Sequence, residues 1–260
     1  MIKLIASDLD GTLLQNGAQS LPEGVIPFIE KLATEHNIIF VAANGRQYPN
    51  LVRLFGSASK HMAFICENGS LVFYQDKLLA GHPMDKETAL TISYDILSLP
   101  DCELQISGEK TCYLIPKSER FVDRMVNIVK NDIKLLETPE SHPEPYYKVS
   151  IFEENGIAEG HGPELLERHK DKAQCTISGK AWLDFVAPNV NKGRALQELI
   201  DSLGITTDEC TAFGDNFNDL EMLDLVKYGY VMDNAIDEIR SRYHYHCKDV
   251  VEAIKELLEL

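Results

Sequence analysis

The first 66 residues alternate short apolar runs with segments of helical periodicity. The apolar runs over Lys3–Ser7, Ile38–Ala43 and Ala63–Cys66 are continuous, as expected for strands that are buried on both faces. Apolar positions recur at helical spacing between the first two runs, and a second helix is predicted from about Pro49 to Phe55. This order of elements predicts a parallel sheet with covering helices, in which ligands bind at the carboxyl ends of the strands.

The first helix has an N-terminal signal of its own. Ser20 and Glu23 have the spacing of a capping box around Pro22, and apolar residues at helical period follow them. These apolar residues are Val25, Ile26, Phe28, Ile29, Leu32 and Ala33. We therefore expect the helix to begin at this box.

The middle of the chain has a different pattern. Leu71–Tyr74 and Lys77–Ala80 flank Gln75 and Asp76 like the strands of a hairpin, and a mixed region begins at about Pro83. Helices are predicted there at about 86–97, 119–129 and 163–169, and strands at 102–107, 111–115, 147–152, 173–178 and 182–186. The mixture predicts an α+β domain over residues 83–187, inserted into a core of residues 1–82 and 188–260.

The α/β pattern of the core resumes near Asn191. Lys192 opens a helix that Gly204 ends, and a strand over Cys210–Phe213 leads into the acidic segment 214–219. Strands at 228–232 and 243–246 and an amphipathic helix at 249–258 follow. The predicted fold class is therefore α/β, with a doubly wound, Rossmann-like parallel-sheet core and an inserted α+β domain.

Composition narrows the choice of partners and location. The 260 residues are 44% hydrophobic, which is ample for packed cores. The 41 Asp and Glu residues outnumber the 25 Lys and Arg residues, which argues against nucleic acid or an anionic membrane as a partner. The six cysteines lack disulfide or zinc-ligand spacing, so we expect reduced thiols. With no secretion signal or membrane span evident, we expect a cytoplasmic location. The sequence carries no signal of the oligomeric state, and a monomer is the default expectation.

Acidic residues follow two of the predicted core strands. Asp8 and Asp10 come directly after the first strand, and Gly11 lets the chain turn away behind them. Asp215 follows another strand, so the carboxylates converge if those strands are neighbours. Crowded carboxylates repel one another without a cation, and Mg²⁺ prefers such oxygen ligands together with water and a substrate phosphate. The sequence therefore predicts a Mg²⁺ site here.

The same residues can carry phosphoryl transfer, which needs an in-line nucleophile, charge neutralisation and a proton for the leaving group. Asp8 can attack phosphorus to give an aspartyl-phosphate, and Asp10 can protonate the leaving oxygen and later deprotonate the attacking water. Lys192 can supply a fixed positive charge. Further hydrogen bonds to phosphate oxygens can come from Asn44, the Gly45 amide and Asn218.

Four segments, in this order, resemble the motifs of haloacid dehalogenase-type phosphatases: Ser-Asp-Leu-Asp-Gly-Thr-Leu-Leu, Ala-Asn-Gly-Arg, Asn-Lys-Gly and Gly-Asp-Asn-Phe-Asn-Asp-Leu-Glu-Met-Leu. Glu-Asn-Gly at 67–69 and Met-Asp-Asn-Ala at 232–235 are similar to the Cof-like subfamily. The position and size of the insertion resemble a large α+β cap domain of the C2B type. The resemblance covers the whole predicted core, whereas the cap is matched in position and size only.

The resemblance assigns a role to each motif residue. It implies that Asp8 is the nucleophile and Asp10 the acid/base. It implies that Mg²⁺ is held by Asp8, Asp215 and the backbone carbonyl of Asp10, with Asp219 as an outer or additional carboxylate. It also implies that the phosphate is held by the Leu9 amide, Asn44, Gly45, Lys192 and Asn218.

Three positions leave alternatives open. The family pattern has a Ser or Thr hydroxyl where this chain has Asn44, whose amide donates a hydrogen bond from a longer side chain, so rate and leaving-group preference are open. Asp219 can serve the metal site or simply favour the helix dipole. Arg46 can bind substrate or form a structural ion pair.

The predicted function is Mg²⁺-dependent hydrolysis of a small phosphorylated metabolite. A sugar phosphate is the leading substrate, with pyridoxal phosphate and flavin mononucleotide as alternatives, and the cap is expected to cover the phosphate site and supply specificity contacts. A phosphotransferase or phosphomutase would share the intermediate, although the acid at position 10 favours hydrolysis. A non-catalytic phospho-ligand sensor would be expected to lack Asp8 or Asp10, and both are present.

Overall fold

The structure is a computed structural model that describes all 260 residues, and it divides into two compact units. The first unit comprises Met1–Arg46, Leu51–Ala80 and Asn191–Leu260, and the second comprises Gln47–Asn50 and Gly81–Val190. An eight-stranded and a six-stranded sheet account for the strands. The predicted α/β fold class is confirmed.

Strands and helices alternate along most of the chain. The strands are β1 (Leu4–Ser7), β2 (Ile39–Ala43), β3 (Ala63–Cys66), β4 (Leu71–Tyr74), β5 (Lys77–Gly81), β6 (Glu103–Ser107), β7 (Cys112–Ile115), β8 (Ile133–Leu135), β9 (Lys148–Phe152), β10 (Gln174–Ser178), β11 (Trp182–Val186), β12 (Cys210–Gly214), β13 (Tyr228–Met232) and β14 (Tyr245–Cys247). The α-helices are α1 (Val25–His36), α2 (Tyr48–Phe55), α3 (Lys86–Ser98), α4 (Glu119–Asp123), α5 (Gly162–His169), α6 (Lys192–Leu203), α7 (Leu220–Leu225), α8 (Asp237–Arg240) and α9 (Val250–Leu258).

The larger sheet has the strand order β14-β13-β12-β1-β2-β3-β4-β5. Its strands from β14 to β3 are parallel, and β4 pairs antiparallel with β3. Ser7 at the end of β1 pairs with Phe213 of β12 on one side and with Ala42 of β2 on the other. Because these parallel strands end level with one another, the residues that follow them meet at one edge of the sheet.

The smaller sheet has the order β10-β11-β9-β6-β7-β8, and only β7 and β8 pair in parallel. Apolar residues of its central strands join a core with residues of α3 and α5. Alternate positions of the same strands carry the buried polar residues Gln105, Ser107, Lys148, Ser150 and Asp184. Because successive side chains of a strand point to opposite faces, these residues share the second face, here called the polar face, which also carries an apolar cluster with Cys112, Leu114 and Phe152.

The predicted start of the first helix is wrong. Helix α1 begins at Val25, and no side chain caps its first turn. Gly24, directly before it, has φ 88°, and the Val25 N–H donates to the Pro22 carbonyl at 3.3 Å. The left-handed backbone at Gly24 is not helical, so Ser20 and Glu23 lie in a turn outside the helix.

Other differences concern short or irregular elements. The helix predicted over 119–129 is α-helical only in α4 and continues as a π-helix over Arg124–Ile128. Strand β8 and helix α8 were not predicted, since three or four residues are too few for a periodic signal. The last strand, β14, begins two residues later and ends one residue later than predicted.

Two further expectations concern cysteines and membranes. All six cysteines are free thiols, as predicted, and Cys66, Cys102, Cys112 and Cys210 are buried. None of the helices combines the length and the apolar character that crossing a membrane requires.

Candidate active site

Three of the predicted site residues follow directly after neighbouring strands of the larger sheet. Asp8 follows β1, Asn44 follows β2 and Asp215 follows β12. Backbone hydrogen bonds fix the first two, since the Asp8 N–H donates to the Phe213 carbonyl at 2.9 Å and the Asn44 N–H to the Ile65 carbonyl at 2.9 Å. The level strand ends therefore bring the three side chains to one edge of the sheet.

The turn after Asp8 depends on glycine. Gly11 has φ 97°, and a Cβ atom there would lie 2.2 Å from Oδ2 of Asp215. The N–H groups of Thr12 and Leu14 both donate to the Leu9 carbonyl, at 3.1 and 2.7 Å. Any larger residue at position 11 would be strained and would displace the Asp215 carboxylate.

Lys192 joins two carboxylates inside the first unit. Its Nζ lies 2.6 Å from Oδ1 of Asp8 and 2.6 Å from Oδ1 of Asp219, and its side chain is only 1% exposed. It is the first residue of α6, where the Asn191 side chain caps the helix by accepting from the Arg194 N–H. A buried ammonium is costly unless it is paired, and here it is paired twice.

Asp219 uses both of its carboxylate oxygens within the protein. Oδ1 accepts from Lys192, and Oδ2 accepts from the N–H groups of Asp215 and Asn216, each at 3.0 Å. The side chain is fully buried. Asp219 therefore positions both Lys192 and the segment that carries Asp215.

Asp10 lies apart from the buried carboxylates. Its side chain is 52% exposed and accepts from Arg46 twice, from Nε at 3.1 Å and from Nη2 at 2.5 Å. Asn44 connects the two parts of the site, because its Nδ2 donates to Oδ1 of Asp8 at 3.1 Å and to Oδ2 of Asp10 at 3.3 Å. Of the two interpretations of Arg46, the structure shows the ion pair.

The remaining predicted phosphate-binding residues lie in the loops beside these side chains. Leu9 is fully buried within the turn after β1. Gly45 follows Asn44, and a Cβ atom there would lie 3.1 Å from Oδ1 of Asn68. Asn218 is partly buried in the single 3-10 turn Phe217–Asp219. Hydrogen bonds from these residues to a phosphate stay a prediction.

Burial dominates the electrostatics of the site. It raises the pKa of Asp8 to about 7, against the opposing effect of Lys192 and with the help of the nearby Asp219 and Asp215 carboxylates. Burial and Asp219 raise the pKa of Asp215 to about 6. Burial alone would lower the pKa of Lys192, but Asp219 and Asp8 outweigh it and raise that pKa above its usual value. The negative charge of the ionised carboxylates at this site thus exceeds the single positive charge of Lys192.

The donor set fits a divalent cation. Asp8, Asp215 and Asp219 each offer an oxygen, and these oxygens lie within 4.8 Å of one another. Oδ1 of Asp219 is held by the Lys192 ammonium and Oδ2 by two backbone N–H groups, whereas Oδ2 of Asp215 accepts from Asn234 at a long 3.5 Å, so Asp215 is the better-placed ligand beside Asp8. Burial disfavours the negative charge of these carboxylates, and a bound Mg²⁺ would compensate that charge through its preferred oxygen ligands.

Two residues that contact the site were not among the predicted site residues. Thr12 donates from Oγ1 to Oδ1 of Asp215 at 3.0 Å, and Asn234 donates from Nδ2 to the Gly11 carbonyl at 2.9 Å and to Oδ2 of Asp215 at 3.5 Å. Both belong to segments already noted as motifs, Asp-Gly-Thr and Met-Asp-Asn-Ala. Their place in these motifs was the sequence signal that could have identified Thr12 and Asn234 as site residues.

Comparison with known proteins gives one family and one fold. The family model described as haloacid dehalogenase-like hydrolase matches residues 5–253. The chain is 26% identical over 234 residues to the 5-amino-6-(5-phospho-D-ribitylamino)uracil phosphatase YbjI of Escherichia coli strain K12, covering 90% of this chain and 86% of that protein.

Two solved structures superimpose over nearly the whole length. The protein SMU.1108c of Streptococcus mutans UA159 is 27% identical with a TM-score of 0.86, and each chain is covered completely. The subclass IIB sugar phosphatase BT4131 is 20% identical with a TM-score of 0.82, covering 99% of this chain and 100% of that one, which supports the fold. The resemblance of the sequence motifs to this family and the predicted enzyme class, a phosphatase of the haloacid dehalogenase type, are confirmed. Because its family model extends over almost the entire sequence, this chain belongs to the haloacid dehalogenase-like hydrolases.

Proposed function

We propose that the protein is a Mg²⁺-dependent phosphatase that hydrolyses a small phosphorylated metabolite through an aspartyl-phosphate on Asp8. The observation that carries the proposal is the environment of Asp8. This carboxylate is buried at a strand end, one of its oxygens lies 2.6 Å from the Lys192 ammonium, and the carboxylates of Asp215 and Asp219 lie beside it. A nucleophilic carboxylate needs this combination of fixed position and charge neutralisation.

Each of the side chains around Asp8 has a separate task. Asp8 attacks phosphorus in line with the leaving oxygen, and Lys192 neutralises the charge on the phosphate oxygens. Asp10 donates a proton to the leaving oxygen and then takes one from the water that hydrolyses the aspartyl-phosphate. Because Asp10 is half exposed and bound to Arg46, this exchange requires the ion pair to loosen.

Asp8 and Asp215 would hold Mg²⁺, together with the Asp10 carbonyl that the family resemblance implies. When bound, Mg²⁺ neutralises charge on the transferring phosphoryl group and stabilises the ionised form of the buried acids. Asp219, Thr12 and Asn234 keep Lys192 and Asp215 in place through the hydrogen bonds described above.

The phosphate would be held by donors around the same strand ends. These donors are the Leu9 amide, the Asn44 side chain, the Gly45 amide, Lys192 and Asn218. Asn44 already reaches both acids of the site, so its amide can hold the phosphate and orient Asp8 and Asp10 together. This double contact is one way for an amide to replace the hydroxyl of the family pattern.

The second unit is proposed to be the cap domain that selects the substrate, with the insertion bounds near 83 and 187. Sugar phosphates are the leading substrate class. The polar face of its sheet supports this choice, because buried hydroxyl, amide and charged groups suit a hydroxylated compound. A relative that is 26% identical acts on a phosphorylated ribityl compound, as its name states.

The test is phosphate release from an aryl phosphate and a panel of sugar and cofactor phosphates, with Mg²⁺ or with a chelator. Asp8→Asn should lower the rate at least about a thousandfold. Asp208→Asn makes the same chemical change at an exposed position outside the site and should have no effect. Equal rates for the native chain and Asp8→Asn would overturn the proposal, and release that depends on an acceptor sugar would indicate a phosphotransferase.

A further inference from the structure

A second group of metal-ligating side chains lies in the inserted unit, outside the candidate active site. It consists of the Cys102 thiol, the Glu153 carboxylate and the His161 imidazole, and their ligand atoms lie within 4.8 Å of one another. All three residues belong to the unit that contains Gly81–Val190. None of them has a role in the proposed phosphatase mechanism.

The smaller sheet brings the first two residues together. Strands β6 and β9 are antiparallel, with Glu103 opposite Phe152, so Cys102 and Glu153 are the next opposed pair just beyond the strands. The third residue, His161, lies directly before α5. Its N–H donates to Oε2 of Glu153 at 2.8 Å, which ties the loop 154–160 back onto the sheet end.

The distances in this group resemble one face of a tetrahedral metal site. Nδ1 of His161 lies 3.5 Å from Sγ of Cys102 and 2.9 Å from Oε1 of Glu153. With the usual zinc bond lengths, tetrahedral geometry puts a nitrogen and a sulfur ligand about 3.5 Å apart and a nitrogen and an oxygen ligand about 3.3 Å apart. Small side-chain movements would satisfy both separations.

A hydrogen-bonded catalytic triad does not fit these contacts. In such a triad the two ring nitrogens of the histidine face different partners. Here a single nitrogen, Nδ1, faces both the sulfur and the carboxylate, and it can make only one good hydrogen bond at a time. Burial also raises the pKa of Cys102 to about 11, so the thiol is not activated as a nucleophile.

The surroundings favour a cation. After burial, which has the largest effect, the carboxylates of Glu153, Asp101 and Glu103 raise the pKa of Cys102, and the Lys117 ammonium lowers it. Lys117 is held elsewhere, because its Nζ donates to the backbone carbonyls of Ile96 and Leu99. A Cβ atom at Gly160 would lie 2.2 Å from both carboxylate oxygens of Glu153, so the loop leaves room for that carboxylate only because residue 160 is glycine.

The geometry points to a transition-metal site, suited to Zn²⁺, that is formed by Sγ of Cys102, a carboxylate oxygen of Glu153 and Nδ1 of His161. Sulfur, nitrogen and carboxylate ligands together select Zn²⁺ over Mg²⁺, which takes oxygen ligands. The fourth position is left for water, and the His161 side chain, 34% exposed, gives the ion a route from solvent. Binding replaces the S–H bond of Cys102 by a metal–sulfur bond and releases that proton to the buffer.

The test uses Co²⁺ as a spectroscopic substitute for Zn²⁺ in the full-length chain. One equivalent of Co²⁺ should produce a sulfur-to-cobalt charge-transfer band and intense visible bands of a tetrahedral ion, and one equivalent of Zn²⁺ should remove them. Cys102→Ser should abolish the charge-transfer band. His161→Asn should weaken Co²⁺ binding by more than the roughly 10- to 100-fold that loss of an outer-shell partner costs.

Two controls make the result specific. Cys175→Ser changes a partly buried cysteine of the same unit outside the group and should retain the band. The double variant Asp8→Asn, Asp215→Asn should also retain it, which separates this site from the acidic one and keeps its failure distinct from a failure of the proposed phosphatase activity. Circular dichroism checks that each variant folds. Absence of the band in the native chain, or its persistence in folded Cys102→Ser, would overturn the proposal.

Discussion

The two sheets place their polar side chains in different ways. In the larger sheet the central strands β1, β3 and β12 are buried along their whole length, and the candidate catalytic residues come after the strands end. In the smaller sheet the polar residues lie within β6, β9 and β11, at alternate positions. A parallel sheet covered on both faces can present chemistry only at its edge, whereas an antiparallel sheet can use one face.

This difference predicts different consequences for substitutions in the two sheets. Changes at the strand ends of the larger sheet should affect both the chemical step and local stability, because the charged side chains there are buried and pair with one another. Changes on the polar face of the smaller sheet should affect stability and substrate choice and leave the chemical step intact.

Lys192→Met should have the largest effect on stability. It leaves the buried carboxylates of Asp8 and Asp219 without their shared cation, which should cost about 3–5 kcal/mol in the free energy of unfolding. Urea denaturation without added Mg²⁺ measures this cost. Adding Asp219→Asn to Lys192→Met should restore part of the stability and none of the activity. A single variant as stable as the native chain would contradict the ion pairs as described.

Gly11→Ala should mainly affect the rate. The new Cβ atom would collide with Oδ2 of Asp215, and misplacement of a reacting or ligating group by about 1 Å can cost on the order of 100-fold in rate. Gly17→Ala is the matched control, since Gly17 also has a positive φ, 72°, but a Cβ atom there would have no neighbouring atom within 4 Å. Comparable losses of phosphate release in both variants would mean that backbone strain, and not Asp215, is responsible.

Ser150→Ala tests the polar face. Oγ of Ser150 donates to Oδ1 of the buried Asp184 at 2.7 Å, and loss of a hydrogen bond to a charged group costs about 1.5–3 kcal/mol. A cost at the lower end of this range is expected for Ser150→Ala, because Ser178 still donates to Oδ2 of Asp184 at 2.8 Å. Release from an aryl phosphate should be unchanged, while KM for the best sugar phosphate should rise. Exposed Ser98→Ala is the control, and a fall in kcat for the aryl phosphate would contradict the separation of tasks.

The smallest effect is expected from the pH dependence of the second unit. Burial lowers the pKa of His142, whose Nδ1 lies 2.7 Å from the Glu144 carbonyl oxygen. Below pH 6.5, the ordinary pKa of a histidine, residue 142 therefore binds more protons in the unfolded chain than in the native protein. The contribution of His142 to stability is complete above pH 6.5 and declines as the pH falls through the lowered pKa.

Comparing the native chain with His142→Phe isolates this contribution, because the raised pKa values of Asp8 and Asp215 affect both proteins alike. The denaturation midpoint of the native chain minus that of His142→Phe should become smaller from pH 7.5 to pH 5.5. His244→Gln, at an exposed position, should show no such change. A difference that is independent of pH would show that the buried imidazole does not titrate.

Much of the site could be predicted because its residues follow strands directly. The apolar runs before Asp8, Asn44 and Asp215 predicted strands, and parallel strands that end level necessarily bring those residues together. Lys192 was predicted from its motif at the start of a helix. The capping box at Ser20 and Glu23 was wrong, since the spacing of side chains does not reveal that Gly24 adopts a left-handed conformation.

Apolar periodicity and strand ends are local properties, and they therefore predict the fold class, the order of most strands and helices, and the acids and lysine of the candidate site. The pairing of charges depends on segments that are far apart along the chain, so it is seen only in the folded structure. The bonds from Lys192 to Asp219 and from Arg46 to Asp10 were not visible along the chain. Nor was the meeting of Cys102, Glu153 and His161, which are 51 and 8 residues apart in sequence and lie together only because antiparallel register and a folded-back loop align them.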